Sequence, residues 1–479
     1  MRPKSLVTAA LALACTVALP ALAGDTDVDP SFAWVLVYEP TASNPTQDEN
    51  GIAIAGTADG GYVVLADAPG GGAMGGTGKR ILLHRLDHGG ERVASFGDSG
   101  VVVKDAWLTS VTAMAIDPQG RIVVVGATPD ANGRRDFGVV RFKADGSDDT
   151  SFAGDGGTAI GFDIGGAQTN DLPTSVTIDP NGKIVIAGNV TQGDDVTTQS
   201  IGLIRLNDDG SLDTGFGDLV DGAGRHGSIS RYFTSEVADV RRVLRIANGY
   251  YAVLGSTQFS ANDMDFAARV FAPDGKALTN GGSYNRFAVD LSANDWVDVM
   301  LDAALVNPTR VLLTGIANAV TTQNCAALRI QFVFQPPNQV TVTLDPSFVG
   351  NQPSHYVYAS PVATSQCWSG AADASGRMLL VGTRPGSTAY RVGSVTRLLP
   401  DGQLDNSFAP VMPDGTALYS APVGLTQLSY NTKFSGIFMD GSQAVIVGSA
   451  AYSSSSTSDL DARVMRLSAS DWIFVNGFE

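Results

Sequence analysis

Two neighbouring stretches decide the fold: Ser110–Phe152, SVTAMAIDPQGRIVVVGATPDANGRRDFGVVRFKADGSDDTSF, and Ser175–Phe216, SVTIDPNGKIVIAGNVTQGDDVTTQSIGLIRLNDDGSLDTGF. Both pass through an Asp-Pro turn, an apolar run ending in Gly, an Arg-containing run and an acidic turn that closes on Phe. Equivalent turn residues recur at intervals of 59 to 68 residues, at Gly60, Gly120, Gly182, Gly249, Pro308, Gly376 and Gly441. A period of this size indicates stacked or radial units, and the chain contains seven of them.

Each unit carries the signals of short β-strands joined by tight turns. The turn Asp117–Gly120 precedes the apolar run Ile122–Gly126, and the turn Asp179–Gly182 precedes Ile184–Gly188. Asp caps such a turn with its side chain, Pro sets φ and Gly accepts a positive φ. A short β-branched run is typical of a buried strand, so the units are built from strands.

The acidic turn ending in Phe is missing from the last unit, which reaches Arg466-Leu467 without it. Asp29-Pro30-Ser31-Phe32 carries that element at the other end of the chain. A closed ring explains this split, because the N-terminal strand then completes the last unit and removes exposed sheet edges. We predict an all-β, seven-bladed β-propeller over residues 29–468, with about 63 residues per blade. A β-solenoid is the alternative, but it would need shorter coils and capping ends.

The units resemble the delta-60 repeat (DUF5122-type) bacterial β-propeller family, whose pattern is DFxVxRxxxDGxLDxSFGxxG…AxAVxxDGKIVVAG. Asp136–Gly146, DFGVVRFKADG, and Asp179–Gly188, DPNGKIVIAG, carry the match. The second and third units fit it strongly, the first, sixth and seventh less closely, and the fourth and fifth are degenerate. The resemblance implies a propeller fold and a secreted or surface setting, and it implies no reaction.

The N-terminus has the features of a secretory signal peptide over residues 1–23. Arg2 and Lys4 precede the apolar segment Ser5–Leu19, and Ala21-Leu22-Ala23 forms an A-x-A cleavage site. Cys15 leaves a lipoprotein signal as an alternative. We expect a protein that is secreted, periplasmic or at the cell surface of a Gram-negative bacterium.

Residues 469–479 form a short C-terminal tail that ends in Ile-Phe-Val-Asn-Gly-Phe-Glu. This ending resembles those of many secreted proteins from xanthomonad-type bacteria. It indicates an export or processing tag, with an incidental frayed tail as the alternative.

The composition is strongly acidic, with 48 Asp and Glu against 31 Lys and Arg and a net charge of −17. Removal of residues 1–23 takes away two basic residues and brings the charge to −19. Nucleic acids and anionic membranes are bound by basic patches, so neither is an expected partner. No later segment approaches the ~18 apolar residues of a membrane span. We expect a monomer that binds a protein or a glycan.

Cys325 and Cys367 are the two cysteines that remain after the signal segment, and they belong to the fifth and sixth units. An oxidising compartment permits a disulfide between them. Closing a loop of this size would contribute about 4 kcal/mol in the chain-entropy treatment. Two free thiols are the alternative, and a metal pair is disfavoured because no His neighbours either Cys.

No catalytic or cofactor-binding set stands out. The chain has four histidines, His84, His88, His226 and His355, and no Gly-x-Ser-x-Gly motif. His84 lies in a strand repeat where other units carry Val, Ile or Thr, which favours packing. The Gly-rich segment Gly70–Lys79 looks like a phosphate-binding loop, but Ala73 replaces its first Gly and Arg80 its Ser or Thr.

The acidic turns offer weak calcium candidates, because their carboxylates are hard oxygen ligands. The candidates are Asp145, Asp148, Asp149, Asp209 and Asp213. Tight turns favour the same residues, so turn chemistry is the alternative. The carboxylates outside the repeat, Glu49, Glu91 and Glu236, have no recognisable acid–base context. The Arg and Asp that recur once per unit predict a structural ion pair in each blade.

We therefore expect a non-catalytic scaffold that recognises its ligand with the loops that depart from the repeat. Those loops are Ala68–Lys79, Gln192–Gln199, Ala317–Asn324, Val333–Gln339 and Ser453–Ser458. One alternative is an extracellular enzyme that cleaves polysaccharide or peptide at the channel mouth. Such an enzyme would show non-repeated Asp, Glu, His or Arg side chains converging at one channel opening. A purely structural surface module is the other.

Overall fold

The computed structural model describes most of the repeat region. The described residues are 29, 32, 35–37, 48–70, 78–105, 108–129, 133–162, 170–192, 195–219, 226–230, 237–260, 263–278, 286–291, 297–319, 322–335, 339–348, 357–359, 365–385, 391–405, 407–408, 416–419, 432–451 and 460–467. The expected signal segment 1–23 and the tail 469–479 lie outside them.

The described strands form seven small antiparallel sheets, the blades of a propeller. Blade 1 contains β2 (Asn50–Gly56), β3 (Tyr62–Pro69), β4 (Lys79–Leu86) and β5 (Val101–Asp105); blade 2 contains β6 (Ala113–Ile116), β7 (Ile122–Pro129), β8 (Arg135–Phe142) and β9 (Gly157–Ile160). Blade 3 contains β10 (Asp171–Ile178), β11 (Ile184–Gln192), β12 (Asp195–Leu206), β13 (Asp218–Leu219) and β14 (His226–Ser230).

The remaining four blades follow in chain order. Blade 4 contains β15 (Val237–Arg245), a 3₁₀ turn (Ala247–Gly249), β16 (Tyr251–Ser260), β17 (Asp263–Phe271) and β18 (Arg286–Val289); blade 5 contains β19 (Val299–Asn307), β20 (Arg310–Ala319), β21 (Thr322–Gln335), β22 (Gln339–Leu344) and β23 (Val357–Ala359). Blade 6 contains β24 (Gln366–Ala372), β25 (Met378–Pro385), β26 (Arg391–Leu398) and β27 (Thr416–Tyr419); blade 7 contains β28 (Thr432–Asp440), β29 (Gln443–Ala451), β30 (Leu460–Arg466) and β1 (Val35–Val37).

The sheets close into a ring. The first strand of every blade contacts the first strands of both neighbouring blades, and β28 returns to β2. The N-terminal strand β1 is the outermost strand of blade 7, where Val35 pairs with Val464 and Val37 with Ala462. The predicted all-β, seven-bladed propeller with an N-terminal closing strand is therefore confirmed. The first strands line its central channel.

A β-bulge in the first strand explains the Gly that ends the apolar run of the second strand. Register shifts mark this bulge in blades 1 and 3 to 7. At Gly188 a Cβ would lie 2.1 Å from the carbonyl oxygen of Leu172, and at Gly382 it would lie 1.8 Å from that of Gln366. No side chain fits at such a separation, so these two positions require Gly, whereas blade 1 has Ala66 at the corresponding position, opposite Gly51. The carbonyl of the first strand thus explains the Gly at this position of the repeat.

The hydrophobic core lies between adjacent blades. Val125 and Phe137 of blade 2 pack with Ile186 and Ile204 of blade 3, and equivalent clusters fill the other seams. Burial of these apolar faces on both sides of each sheet is the main stabilising term of the ring. Across the described residues, no helix combines the length and apolar character needed to cross a bilayer.

The ring has two faces. The turns between first and second strands, such as Asp117–Gly120, lie on one side, which we name the turn face. The first strands begin on the opposite side, the loop face, where the second strands also connect to the third. Ala68–Lys79, Gln192–Gln199 and Ala317–Asn324 make such connections, as far as they are described. Val333–Gln339 instead belongs to a hairpin of β21 and β22, and Ser453–Ser458 lies outside the described residues.

Candidate functional site

The turn face is built from a repeated Arg–Asp–Phe group. In blade 2, Arg141 Nε donates to Asp149 Oδ2 at 2.7 Å, and the guanidinium lies 4.6 Å from the ring centroid of Phe152. The same group occurs as Arg205–Asp213–Phe216, Arg329–Asp345–Phe348, Arg397–Asp405–Phe408 and Arg466–Asp29–Phe32. The predicted ion pair is confirmed in five blades, and in blade 7 it joins the two ends of the chain.

The repeated Arg also connects neighbouring blades. Arg141 Nη1 donates to the carbonyl oxygen of Asp208 at 2.7 Å, and Arg329 Nη1 donates to that of Pro400 at the same distance. Blades 1 and 4 depart from the pattern. Arg85 of blade 1 pairs with Asp59 of the same blade, and blade 4 has Val270 at the Arg position. The group serves the ring rather than a ligand.

The calcium candidates lie in these turns, where protein groups already engage their oxygens. Asp149 and Asp213 are the acids of two Arg–Asp pairs. Asp145 Oδ1 accepts hydrogen bonds from the backbone N and Oγ of Ser147, and Asp209 is bonded in the same way by Ser211. Asp148 pairs with Lys104. None of the five belongs to a group of three metal-capable side chains within the described part of the chain, and calcium binding there remains a prediction.

The electrostatics of Asp149 fit a structural role. Burial by itself would raise the pKa of Asp149, but the hydrogen bond from Ser151 and the charge of Arg141 outweigh it and leave the pKa below its usual value. The carboxylate is therefore ionised at neutral pH, as an ion pair requires.

A carboxylate trio that sequence reasoning missed lies on the loop face between blades 4 and 5. One oxygen from each of Asp265, Asp290 and Asp298 lies within 4.8 Å of the others, and Asp265 and Asp298 are buried. Asp298 Oδ2 accepts a hydrogen bond from the backbone N of Leu291 at 2.8 Å. Three convergent carboxylates are the kind of oxygen set that a hard divalent cation uses.

Strand pairing explains why the sequence did not reveal the carboxylate trio. Asp136 and Asp171 occupy the positions of Asp265 and Asp298 at the seam between blades 2 and 3, and Asp171 Oδ2 accepts from the backbone N of Phe162 as Asp298 does from Leu291. Blade 2 has Gly161 where blade 4 has Asp290. The third carboxylate is therefore a residue that differs between blades at an equivalent position. Only an alignment of the blades by strand register could find it.

A second non-repeated group crosses the first strands of three adjacent blades. Arg242 Nε donates to Asp302 Oδ1, and Ser369 Oγ donates to Asp302 Oδ2. The charge of Asp302 raises the pKa of Arg242. The corresponding residues after the bulge in the other four blades are Ala53, Ala113, Ser175 and Gly436. Arg242 and Asp302 come from the two degenerate units.

A pocket of about 290 Å³ opens on the loop face where blades 6, 7 and 1 meet. Gln366 and Trp368 of β24, Lys433 and Ser435 of β28 and Asn50 of β2 line it together with Arg391. Lys433 Nζ lies 3.6 Å from the ring centroid of Trp368. Arg391 Nη1 donates to Gln366 Oε1 at 3.0 Å. The pocket combines cationic, amide and aromatic groups that are not part of the repeat.

Lys433 is exposed and contributes to the lining of the pocket. Desolvation lowers the pKa of Lys433. No described carboxylate forms an ion pair with it, in contrast to the paired Arg residues of the turn face. A positive charge in this setting is stabilised by the indole face and by any anion that enters the pocket.

The two cysteines lie close to this pocket. Cys325 of β21 and Cys367 of β24 form a disulfide with a Cα–Cα distance of 4.8 Å, and both are buried. The backbone N of Cys325 also donates to Ser365 Oγ at 3.0 Å. The bond therefore fastens blade 5 to the first strand of blade 6, one residue before Trp368.

The described histidines and isolated glutamates form no catalytic set. His84 is fully buried, its ring nitrogens have no hydrogen-bond partner among the described residues, and burial lowers its pKa to about 3. It is a packing residue, as its strand position indicates. His88 lies in a turn against Asp440 at the seam of blades 7 and 1. Glu49 is buried at the start of β2 and Glu91 lies in an exposed turn.

Some of the residues considered from the sequence cannot be placed. His355 and Glu236 lie outside the described residues, and the side chain of His226 is not described.

Residues 118–152 and 180–216 match the family model described as "Domain of unknown function (DUF5122) beta-propeller". These ranges are the second and third units, which carry the clearest repeat. A comparison with curated proteins finds no significant match.

Several solved structures match this chain at low identity and with TM-scores below 0.5. The polysaccharide lyase Uly1 is 14% identical with a TM-score of 0.45, over 87% of this chain and 89% of its own. Drosophila Semaphorin 2a is 10% identical with a TM-score of 0.45, over 88% and 75%. Bacillus subtilis levansucrase is 13% identical with a TM-score of 0.33, over 64% and 88%. Likeness of this degree carries no information about function.

Proposed function

Because this chain is a DUF5122-type β-propeller, a fold that specifies no reaction by itself, we propose that it is a secreted, non-catalytic scaffold that binds a ligand at the loop face. The observation that carries the proposal is the position of the residues that break the repeat. Arg242, Asp302, Trp368 and Lys433 all lie on first strands around the channel. Glycans and proteins are the ligand classes that such a concave, polar surface suits.

The chemistry of the channel group favours binding over catalysis. Both carboxylate oxygens of Asp302 are engaged, one by Arg242 and the other by Ser369. Among the described residues no His lies beside Ser369 to activate its hydroxyl. An enzyme at this opening would need a free group that accepts or donates a proton, whereas Arg242 and Ser369 already hold both oxygens of Asp302.

The loop-face proposal is tested with the mature protein, residues 24–479, on a glycan array and against extracellular protein fractions. The informative variant is Arg391→Glu with Lys433→Glu, which reverses both charges at the pocket. Lys276→Glu is the control, because Lys276 is an exposed cation in a turn-face loop of blade 4. We expect the wild type and the control to bind and the double variant to fail. Equal binding by all three, or turnover of a glycan or peptide by the wild type, would overturn the proposal.

Secretion is part of the same proposal and has its own test. The basic start, the apolar segment and Ala21-Leu22-Ala23 support export with cleavage before Gly24. We expect mass spectrometry of the protein from a periplasmic or culture fraction to give Gly24 as the first residue. A full-length cytoplasmic product would contradict it.

A further inference from the structure

The pocket between blades 6, 7 and 1 has a charge opposite to that of the whole protein. The chain carries 48 acidic and 31 basic residues. The described lining of the pocket nevertheless contains two cations, Arg391 and Lys433, and no Asp or Glu. A low-dielectric cleft lined by one sign of charge concentrates the opposite charge, so this pocket attracts anions to an otherwise acidic surface.

Lys433 is the cation that lacks a counter-charge. Among the described residues no carboxylate pairs with its ammonium, and its closest partner is the face of Trp368 at 3.6 Å. Lys433 is exposed, so its ammonium can contact the indole face and an anion in the pocket at the same time. An anionic ligand group beside Lys433 would complete this site.

The remaining lining selects for a hydroxyl-rich ligand. Asn50 and Gln366 contribute amides, and the hydroxyls of Thr383, Thr432 and Ser435 surround them. Amides and hydroxyls both donate and accept, as sugar hydroxyls require.

The volume of the pocket limits the size of the ligand that it can hold. Its volume of about 290 Å³ lies at the lower end of the range for small-molecule sites, about 300 to 1,000 Å³. It therefore suits one terminal or branching sugar unit rather than a long segment of a chain.

We propose that this pocket binds an acidic sugar unit, with its carboxylate or sulfate on Lys433 and its ring against Trp368. The proposal rests on the proposed binding function and names the ligand class for the same face. Carboxylate and sulfate share the required chemistry, so the experiment includes a source of each.

The test is titration calorimetry of the mature protein with trigalacturonic acid, with its fully methyl-esterified form and with a sulfated disaccharide. The ester keeps most of the sugar framework and removes the charge. We expect an acidic probe to bind and the ester to bind at least about tenfold more weakly, as loss of a charge-assisted contact predicts. Equal binding of acid and ester would overturn the proposal, as would failure of both acidic probes.

Two variants place the binding in the pocket. Lys433→Gln should weaken acid binding by about tenfold or more, whereas Lys276→Gln, with the same charge change on the turn face, should leave it unchanged. Trp368→Phe should abolish the ligand-induced change in tryptophan fluorescence. Thermal unfolding of each variant serves as the folding control. Wild-type affinity in a folded Lys433→Gln would overturn the assignment.

The outcomes separate this inference from the proposed function. If neutral glycans or proteins bind the loop face and the acidic sugars do not, the ligand class is wrong and the scaffold function stands. If a hexaglutamate peptide binds and the acidic sugars do not, the ligand of this pocket is an acidic protein. If nothing binds in the array or in the titrations, both proposals fail.

Discussion

The turn face and the loop face use the same side chains for different purposes. On the turn face, Arg and Asp recur at one register and join each blade to the next, as Arg141 and Asp149 do. Near the loop face, Arg242 and Asp302 pair once, at a register where the other five blades have Ala, Ser or Gly. The ring does not require a pair that most blades lack. Residues that recur in the blades therefore belong to the fold, and residues that occur once are available for function.

Burial separates the two pairs as well. The side chains of Arg141 and Asp149 are 1% and 4% exposed, whereas those of Arg242 and Asp302 are 35% and 8% exposed. Solvent screens the second pair and not the first. We therefore expect damage to the turn face to lower stability, and damage to the loop face to change binding with a smaller effect on stability.

The largest effect should come from opening the ring. A variant that lacks residues 29–37 loses the β1–β30 pairing and the Arg466–Asp29 ion pair. The edge of β30 is then exposed, which favours aggregation. We expect loss of a single cooperative unfolding transition and a shift to aggregates in size-exclusion chromatography. Asp29→Ala is the control that keeps β1. A monomeric, cooperatively folding truncation would show that closure is dispensable.

Breaking the Cys325–Cys367 disulfide should have the next largest effect. The bond closes a loop with a sequence separation of 42 residues and links blades 5 and 6. The chain-entropy treatment gives about 4 kcal/mol for a loop of this length as an upper value. We expect reductant to lower the urea midpoint of the wild type and to leave that of Cys325→Ser with Cys367→Ser unchanged. A wild-type midpoint that does not respond to reduction would contradict a stabilising bond.

The repeat made the fold predictable because backbone geometry determines which residue types recur in it. The turn Asp and Gly, the Gly opposite the bulge and the Arg–Asp–Phe group each recur in most units for a geometric reason. The split element Asp29–Phe32 predicted closure, since an unpaired element needs its partner at the other end. These features are local or periodic, and sequence reasoning detects both.

The loop-face residues could not be predicted in the same way. Trp368 and Lys433 are ordinary strand residues in separate units, and only the packing of blade 6 against blade 7 brings them together. The bulge in six of the first strands shifts the alternation by one residue, so the sequence pattern does not tell which side chains line the channel. Asp290 is visible only as a change at a position aligned through strand pairing.

Breaking the repeated Arg–Asp ion pair should have the third largest effect on stability. Asp149→Asn removes the buried counter-charge of Arg141, whose guanidinium is 1% exposed, and leaves it only the exposed carboxylate of Asp208. We expect a loss of about 3 kcal/mol in the free energy of unfolding. Asp145→Asn, in the same turn, keeps the side-chain cap to Ser147 and should cost less than about 0.5 kcal/mol. Urea denaturation at pH 7 measures both. Similar losses for the two variants would refute the distinction.

The effect of Asp149→Asn should depend on pH. The folded pKa of Asp149 is lower than the usual aspartate value of 3.8, so its contribution to stability is present above about pH 4 and is lost as pH falls through the folded pKa. The difference between the wild type and Asp149→Asn should therefore be constant from pH 7 to pH 5 and should shrink below about pH 4. A difference that does not change at low pH would show that the charge of Asp149 contributes nothing.

The smallest effect should follow from breaking the channel pair. Arg242→Met leaves Asp302 with the hydroxyl of Ser369 and with access to solvent, so we expect a loss of about 1 kcal/mol or less. Arg141→Met is the matched substitution on the turn face and should cost about 3 kcal/mol, because Asp149 then stays buried without a cation and keeps only its hydrogen bonds from Ser151. Urea unfolding at pH 7 compares the two. If Arg242→Met is as destabilising as Arg141→Met, the channel pair supports the ring, and the loop face must be defined by Trp368 and Lys433 alone.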